Sequence, residues 1–225
     1  MNKMPQHVLR ALEALAQSPI NSSAPAMAEA KDLSHDTLYR ALDYPLPFYF
    51  SLTFQRCKTL GGLQGGFLII DDVLIQRYRS GQMGLQRLKD TSTGSYVFGF
   101  SLVVLAWTDG KRRLPLAFLP YFADEGTRLE LALALLSWAK EEGFQPEAVL
   151  FDAWYAAKEV LEWLHAAGWP LVTRLRSNRL LDGVRLKGHA GSRWVKAGRL
   201  RGLSFGVGVV RRGRKFYCSS QPAWG

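Results

Sequence analysis

The stretch Gly66-Phe67-Leu68-Ile69-Ile70-Asp71-Asp72-Val73-Leu74-Ile75 decides the fold, because two adjacent carboxylates stand in the middle of an apolar run. Farther along, Val149-Leu150-Phe151-Asp152 is a second apolar run that leads to an aspartate. Both runs are rich in branched and aromatic residues and have no helical period, which predicts buried β-strands. Because an unpaired carboxylate is costly to bury, such a group normally binds a cation. The two strands therefore predict a shared divalent metal ion, which prefers carboxylate oxygens.

The composition is that of a globular protein whose positive charge lies at one end. The 225 residues are 48% hydrophobic and 21% charged, enough for one sizeable core or a small domain beside a larger one. Residues 171–225 hold thirteen basic residues and one acid, Asp182, whereas residues 1–170 hold 16 basic and 18 acidic residues. Aromatic residues stand among these basic ones, a mixture that suits contacts with nucleic acid phosphates. Nucleic acid is the predicted partner, and a solvated basic face is the alternative.

Cysteine and histidine usage argues against a disulfide framework or a zinc site. Cys57 and Cys218 are the only cysteines and stand far apart, and the four histidines have no ligand spacing. No uninterrupted apolar stretch reaches the roughly 18 residues needed to span a bilayer. The N-terminus lacks the pattern of a secretory signal. The sequence therefore favours a reduced, cytoplasmic protein without a membrane partner.

The first 48 residues predict a small helical domain. Apolar residues at helical spacing predict helices over residues 5–17, 24–31 and 35–42. Ser34 can cap the third helix, and a short turn before it gives the outline of a helix-turn-helix. Thr37 and Arg40 would then lie on the helix that reads DNA. A plain helical bundle is the alternative, and residues 49–65 are interpreted as a connector.

Residues 66–180 predict one mixed α/β domain. Strands are expected over residues 66–75, 96–108, 111–122, 148–151 and 170–175, with helices over residues 128–142 and 156–167. A right-handed helical crossover favours placing the fourth strand beside the first strand. That placement brings Asp72 and Asp152 together. Because side chains alternate along a strand, only one of Asp71 and Asp72 can face Asp152.

Two further segments lie outside this order of elements. Residues 76–95 form a polar insert with several glycines, which is interpreted as mobile. Residues 181–225 are interpreted as a basic extension, with short strands expected over residues 193–196, 206–210 and 215–218.

Three segments together resemble the DDE transposases of bacterial insertion sequences. They are Phe67-Leu68-Ile69-Ile70-Asp71-Asp72, then Leu150-Phe151-Asp152-Ala153-Trp154-Tyr155, then Thr173-Arg174-Leu175-Arg176-Ser177-Asn178-Arg179. The resemblance covers residues 66–180 and implies a catalytic core that is ribonuclease H-like. In that family a threonine follows the residue that carries the metal. Val73 stands in the place of the threonine, so the resemblance assigns the metal to Asp72 in preference to Asp71, and Asp152 matches the second catalytic aspartate.

The resemblance also implies a reaction and its partners. Asp72 and Asp152 would hold two Mg²⁺ or Mn²⁺ ions that serve in the cutting and joining of transposon ends. The DNA-binding residues it implies are Arg174, Arg176, Asn178 and Arg179. The expected partners are double-stranded DNA at the transposon ends and either a second copy of the chain or a full-length transposase. The expected location is the cytoplasm, in association with the nucleoid.

The family's third carboxylate, a glutamate on a later helix, has no counterpart in this sequence. Asp182 is the only acid after Glu162. We therefore expect a C-terminally truncated transposase that is inactive alone. A non-catalytic DNA-binding remnant or inhibitor, another ribonuclease H-like nuclease, and a globular protein with buried, paired aspartates remain as alternatives.

Overall fold

A computed structural model describes residues 6–7, 10–11, 14, 24–30, 32–42, 46–77, 85–90 and 93–220. The chain divides into two compact units, Met1–Leu52 and Thr53–Gly225. No helix among the described residues has both the length and the apolar character needed to cross a membrane. The predicted helix over residues 5–17 lies largely outside the described residues.

The first unit contains two short helices, α1 (Ala24–Ala30) and α2 (His35–Leu42). Asp32, in the turn between them, has a positive φ of 50°. The hydroxyl of Ser34 accepts a hydrogen bond at 3.1 Å from the main-chain N–H of Asp36. The predicted pair of helices and the Ser34 cap are therefore confirmed, whereas their contact with DNA stays a prediction.

The segment interpreted as a connector is mostly helical. Helix α3 covers Leu46–Thr59, and a 3₁₀ turn over Gly62–Gln64 follows it. No glycine or proline interrupts the chain between Phe48 and Lys58, so the helix can continue to Thr59. The glycines that suggested an irregular connector begin only at Gly61, where φ is 76°.

The second unit is built on a mixed sheet with two helices. Its helices are α4 (Arg128–Glu141) and α5 (Lys158–Ala166). The strands of the described residues are β1 (Phe67–Gln76), β2 (Gln86–Lys89), β3 (Tyr96–Thr108), β4 (Arg113–Tyr121), β5 (Ala148–Phe151), β6 (Leu171–Leu175), β7 (Leu180–Leu181), β8 (Val184–Arg185), β9 (Arg193–Gly198), β10 (Val207–Arg212) and β11 (Lys215–Ser219). Nine of them form one sheet in the order β2-β3-β1-β5-β6-β11-β10-β9, with β4 also paired to β3, and β7 pairs with β8.

The strand order confirms the predicted ribonuclease H-like mixed sheet. β1 pairs antiparallel with β3 and parallel with β5, so the first strand lies between the hairpin and the fourth strand, as the crossover rule predicted.

Helix α4 also begins with a full capping box, in which Thr127 and Glu130 bond to each other's main-chain N–H at 2.7 and 3.2 Å.

Two features of the sheet differ from the predictions. The polar insert contains β2, which pairs antiparallel with the start of β3. The basic extension does not form a separate domain, because β11 pairs with β6 and continues the central sheet. The predicted short strands of the extension are confirmed as β9, β10 and β11.

The hydrophobic core lies on one side of this sheet. Leu68 and Ile70 of β1 are buried, and so are Val103 and Leu105 of β3, the strand that pairs with β1. Helices α4 and α5 contribute buried apolar residues to the same core cluster. By strand alternation, Asp72 continues the side of Leu68 and Ile70.

Both cysteines are buried free thiols. Burial raises the pKa of Cys57 in α3 to about 11. Burial also raises the pKa of Cys218 in β11 to about 12. The thiols are therefore protonated and unreactive in the folded protein.

Candidate active site

An acidic cleft lies where β1 and β5 run side by side. Its volume is about 290 Å³. The lining residues are Asp71, Asp72, Leu74, Leu88, Lys89, Asp90, Ser101, Arg128, Asp152 and Trp154. Ile70 of β1 pairs with Phe151 of β5, so the next residues along the two parallel strands are aspartates. The register therefore places Asp71 beside Asp152, whereas Asp72 lies on the other side of β1; all three line the cleft and are exposed, not buried as the sequence pattern predicted.

Asp71 and Asp72 lie on opposite sides of the sheet, because they are neighbours on one strand. The main-chain N–H of Asp72 donates a hydrogen bond at 2.9 Å to Oδ1 of Asp71. The pKa of Asp71 is raised, first by burial and then by the negative charges of Asp72 and Asp152. Asp71 is therefore electrostatically coupled to Asp152. The assignment of the metal to Asp72 stays a prediction, and Asp71 has to be tested beside it.

The turn after β5 holds the carboxylate of Asp152 in place. Oδ1 accepts hydrogen bonds from the main-chain N–H groups of Trp154 at 2.7 Å and Tyr155 at 3.4 Å. The hydroxyl of Thr173 in β6 donates at 3.1 Å to the main-chain oxygen of Asp152. The aspartate is therefore oriented before any ligand binds.

Arg128, which lines the cleft together with Lys89, is a cation of the site that the sequence analysis did not assign. Its guanidinium donates to the hydroxyl of Ser101 at 3.2 and 3.3 Å. It also lies 4.3 Å from the ring centroid of Tyr121 and 5.8 Å from that of Trp154. The one ion pair among the described residues lies elsewhere, so no described carboxylate is within ion-pair distance of Arg128.

The sequence did contain a signal for Arg128. The capping box at Thr127 makes Arg128 the first residue of α4. A cation in the first turn of a helix is unfavourable, because the N-terminal end of the helix dipole is positive. Because Arg128 stands where a positive charge is unfavourable for the helix, its presence indicates a role other than stabilising α4.

Tyr155 is the second residue near the cleft that the sequence analysis did not assign. Its side chain is fully buried, and its hydroxyl has no hydrogen-bond partner among the described residues. Its pKa is raised by burial and then by the charge of Asp72, whereas Arg128 acts in the opposite direction. The hydroxyl of Tyr155 is therefore protonated and can donate a hydrogen bond, and it interacts electrostatically with the charged residues of the cleft.

The predicted DNA-binding residues lie outside the cleft. Arg174, Arg176 and Asn178 are exposed. Arg179 is half-buried, and its guanidinium donates to the main-chain oxygen of Ala156 before α5. Arg179 therefore has a structural contact within the chain. DNA contact by these residues stays a prediction.

The residues predicted to read DNA belong to the first unit. Arg40 is exposed on α2, and its Nε donates to the main-chain oxygen of Asp36 at 3.2 Å. Thr37 is half-buried on the same helix. Their contact with DNA also stays a prediction.

Asp182, the last acid of the sequence, does not line the acidic cleft. It lines a separate pocket of about 610 Å³ with glycines of β9 and β10. Its Oδ1 accepts a hydrogen bond at 2.8 Å from the main-chain N–H of Arg199. Among the described residues, no group of three or more His, Cys, Asp or Glu side chains is arranged as a metal site.

Replacing Asp71 with asparagine should stabilise the metal-free protein at neutral pH. Because the folded-state pKa is raised, the unfolded chain ionises first as pH rises above the ordinary value of about 3.9, and folding stability falls. Asparagine does not ionise, so it avoids this loss of folding stability. The difference in stability between Asp71→Asn and the wild type should therefore disappear below about pH 3.9. Thermal unfolding in EDTA across pH 3 to 8 measures it.

Asp109→Asn is the matched control with the opposite sign. The pKa of Asp109 is lowered, first by the main-chain N–H of Arg112 and then by that of Lys111. Its replacement should therefore destabilise the protein at neutral pH. An Asp71→Asn protein less stable than the wild type at pH 7 would contradict a raised pKa of Asp71 in the folded protein.

The chain is similar in sequence to one protein family and in fold to a solved transposase structure. Residues 63–204 match the family model described as the transposase DDE domain. The cryo-EM structure of the piggyBac transposase synaptic complex with hairpin DNA is similar over 96% of this chain and 51% of that chain, with 11% identity and a TM-score of 0.53. The chain thus spans about half the length of that relative. The Mos1 transposase paired-end complex with left transposon end matches over 76% of this chain and 60% of that chain, with 14% identity and a TM-score of 0.28. No curated protein matches the chain.

Proposed function

The chain belongs to the family of transposase DDE domains, and we propose that it acts in the cutting and joining of DNA ends as the transposase of a bacterial insertion sequence. One observation carries the proposal: Asp71, Asp72 and Asp152, from neighbouring strands of the sheet, line a single cleft together with Asp90, Lys89 and Arg128. Phosphoryl transfer depends on positioning and on neutralising charge at phosphate. The cleft contains aspartates that could position a metal ion and an arginine that could neutralise charge at phosphate.

The carboxylates have the donor chemistry of a Mg²⁺ or Mn²⁺ site. Hard divalent cations prefer carboxylate oxygens. The pKa of Asp71 is raised first by burial and only then by the negative charges of Asp72 and Asp152, and a bound cation would offset both effects. Asp72 and Asp152 would hold the metal, with Asp71 as the competing ligand. A bound metal would neutralise phosphate charge and lower the pKa of a nucleophilic water.

The remaining residues of the cleft would position the DNA. Arg128 would bind a non-bridging oxygen of the phosphate beside the scissile bond, since its fork matches phosphate geometry and no described carboxylate is within ion-pair distance of it. Tyr155 would donate a hydrogen bond toward Asp72 and fix the orientation of that carboxylate. Arg128 is already held by its bonds to Ser101, whereas the hydroxyl of Tyr155 would have to form a new one.

Arg128→Lys should reduce cleavage while leaving overall DNA affinity nearly unchanged. Lysine keeps the charge but loses the two bonds to Ser101 and the fork that matches phosphate. The turnover rate should fall by about tenfold to a hundredfold, similar to the loss of one preorganised donor at a reacting centre. Single-turnover cleavage at saturating protein measures this rate, and fluorescence anisotropy measures the affinity. Equal losses of rate and affinity would instead indicate general backbone binding.

The experiment that tests the proposed function is nicking of supercoiled plasmid with Mg²⁺ or Mn²⁺. The sequence predicts a chain that is inactive alone, so nicking by the wild type that Asp72→Ala and Asp152→Ala both abolish would show that the cleft is a working site. Asp71→Ala tests which of the adjacent aspartates is required. Nicking that survives loss of Asp152 would overturn the assignment.

A non-catalytic DNA-binding role is the second candidate. It is favoured by the lack of three converging metal ligands among the described residues. Under that role the chain would bind transposon ends alone, or beside a second copy or a full-length transposase, and would associate with the nucleoid. Salt-sensitive DNA binding without nicking at any metal concentration would select it.

A further inference from the structure

The outward side of the strands β6, β11, β10 and β9 is a basic surface. The register places Arg174 of β6 opposite Tyr217 of β11, Tyr217 opposite Val210 of β10, and Val210 opposite Val195 of β9. These four side chains therefore form one row across the four strands. Val195, at the end of the row, is 57% exposed.

The opposite side of the same strands faces the core. Thr173, Cys218 and Val209 stand in one row of the register and are buried. Because side chains alternate between the two sides of a strand, the row that contains Arg174 must face outward. Its exposed arginine agrees with that geometry.

A second outward row consists of cations alone. Arg212 of β10 stands directly opposite Arg193 of β9 and Lys215 of β11, and all three are exposed. Like charges that face each other across strands destabilise a sheet. The sequence after Asp182 contains no acid, and the one described ion pair lies elsewhere. Nothing in the described chain relieves this repulsion, whereas a bound polyanion would.

The dimensions of the surface match a DNA backbone. Neighbouring strands lie about 4.8 Å apart, so the three cations span roughly 10 Å. Duplex DNA carries one negative charge per about 1.7 Å of its axis, which places several phosphates over such a row. Tyr217 and Val195 offer apolar surface for the sugars between phosphates.

Of the aspartates of β1 in the acidic cleft, Asp71 lies on the same side of the sheet as this surface, whereas Asp72 lies on the other side. Ile69 of β1, Leu150 of β5 and Val172 of β6 stand in one row, and Val172 pairs with Ser219 of β11. Asp71 lies two residues beyond Ile69, and therefore on the same side. Five strand spacings separate β1 from β9, or about 24 Å.

We propose that this basic face, defined by Arg174, Arg193, Arg212, Lys215 and Tyr217, binds the phosphate backbone of duplex DNA beside the cleft. The inference rests on the proposed function for the identity of the polyanion. A bound duplex would then extend from the cleft across the strands of the basic extension. At about 3.4 Å per base pair, this distance corresponds to roughly seven base pairs of flanking DNA.

The test compares two double variants that each remove two exposed cations. Arg193→Gln with Arg212→Gln removes the centre of the basic face. Lys111→Gln with Arg113→Gln removes the same charge from the β3–β4 hairpin, at the other end of the sheet, and is the control. Fluorescence anisotropy with a labelled 30-base-pair duplex of random sequence gives the affinity at several salt concentrations.

The basic-face variant should bind at least about tenfold more weakly near 0.1 M NaCl. The slope of log affinity against log salt concentration should be smaller in magnitude by about two, which is about one for each lost phosphate contact. Without DNA its melting temperature should equal or exceed that of the wild type, because a repulsive pair is gone. Affinity and salt slope equal to those of the control would overturn the proposal, and so would weaker binding explained by a lower melting temperature.

Failure of this inference is distinguishable from failure of the proposed function. Asp152→Ala should abolish nicking and keep the wild-type affinity and salt slope. If no protein nicks the plasmid while the basic-face variant loses affinity, the surface stands and the catalytic proposal fails. If the wild type nicks the plasmid and the basic-face variant binds like the control, only the surface is refuted.

Discussion

Asp152→Asn should lower metal-dependent plasmid nicking by more than about a hundredfold, since even outer-shell partners of metal ligands cost 10- to 100-fold. Asparagine keeps a side-chain oxygen that can accept from the main-chain N–H of Trp154, so the turn after β5 should persist. The loss should therefore come from the missing charge. Initial rates of nicking in Mn²⁺, at equal concentrations of folded protein, measure it.

Asp182→Asn is the matched control for this change. It removes one negative charge from the other pocket and keeps an oxygen for the main-chain N–H of Arg199. Its φ of 48° lies in the left-handed region that asparagine also tolerates. Its nicking rate should stay near that of the wild type. Equal losses in Asp152→Asn and Asp182→Asn would point to a general charge effect and against a site at Asp152.

Gly66→Ala should produce a large loss of stability, about 3 kcal/mol or more, because backbone strain and overpacking add. Gly66 has a φ of 69°, and an added Cβ would lie 2.6 Å from both the main-chain oxygen of Thr108 and Nε1 of Trp107. The first contact cannot be relieved by a side-chain rotation, because Thr108 is fixed in β3. Urea denaturation followed by tryptophan fluorescence measures the change in free energy of unfolding.

Gly110→Ala separates the two causes of that loss. Gly110 has a similar φ of 86°, but an added Cβ would meet no atom within 4 Å. Its replacement should cost only the strain of the left-handed conformation, about 1–2 kcal/mol. Equal costs at Gly66 and Gly110 would show that β1 can shift away from Thr108, which would weaken the view that the fold fixes Asp71 and Asp72 rigidly.

The parts of the fold that follow from short-range patterns could be predicted from the sequence. The apolar run of β1, the hairpin between β3 and β4 and the capping box at Thr127 are all local signals. With the handedness of the crossover, these signals sufficed to place β5 beside β1. That placement puts Asp72 and Asp152 in one cleft, although the register sets Asp71, and not Asp72, beside Asp152.

The parts that depend on distant pairing could not be predicted. β2 has only four residues, two of them basic, and gains its place by pairing with β3. The attachment of β11 to β6 joins segments separated by β7 to β10, and no local pattern specifies that partner. For Arg128 the sequence contained only an indirect signal, which is a positive charge at the start of a helix, where it is unfavourable. The basic face became visible only when the register of four strands was known.

The two buried thiols give the protein its own probes of local unfolding. Alkylation requires a thiolate, and burial keeps Cys57 and Cys218 protonated in the closed state. Each labelling rate therefore reports the opening of one region, the end of α3 for Cys57 and strand β11 for Cys218. Equal opening energies would mean that β11 opens in the same cooperative event as the end of α3. A faster rate at Cys218 would show that β11 can open while the end of α3 stays folded.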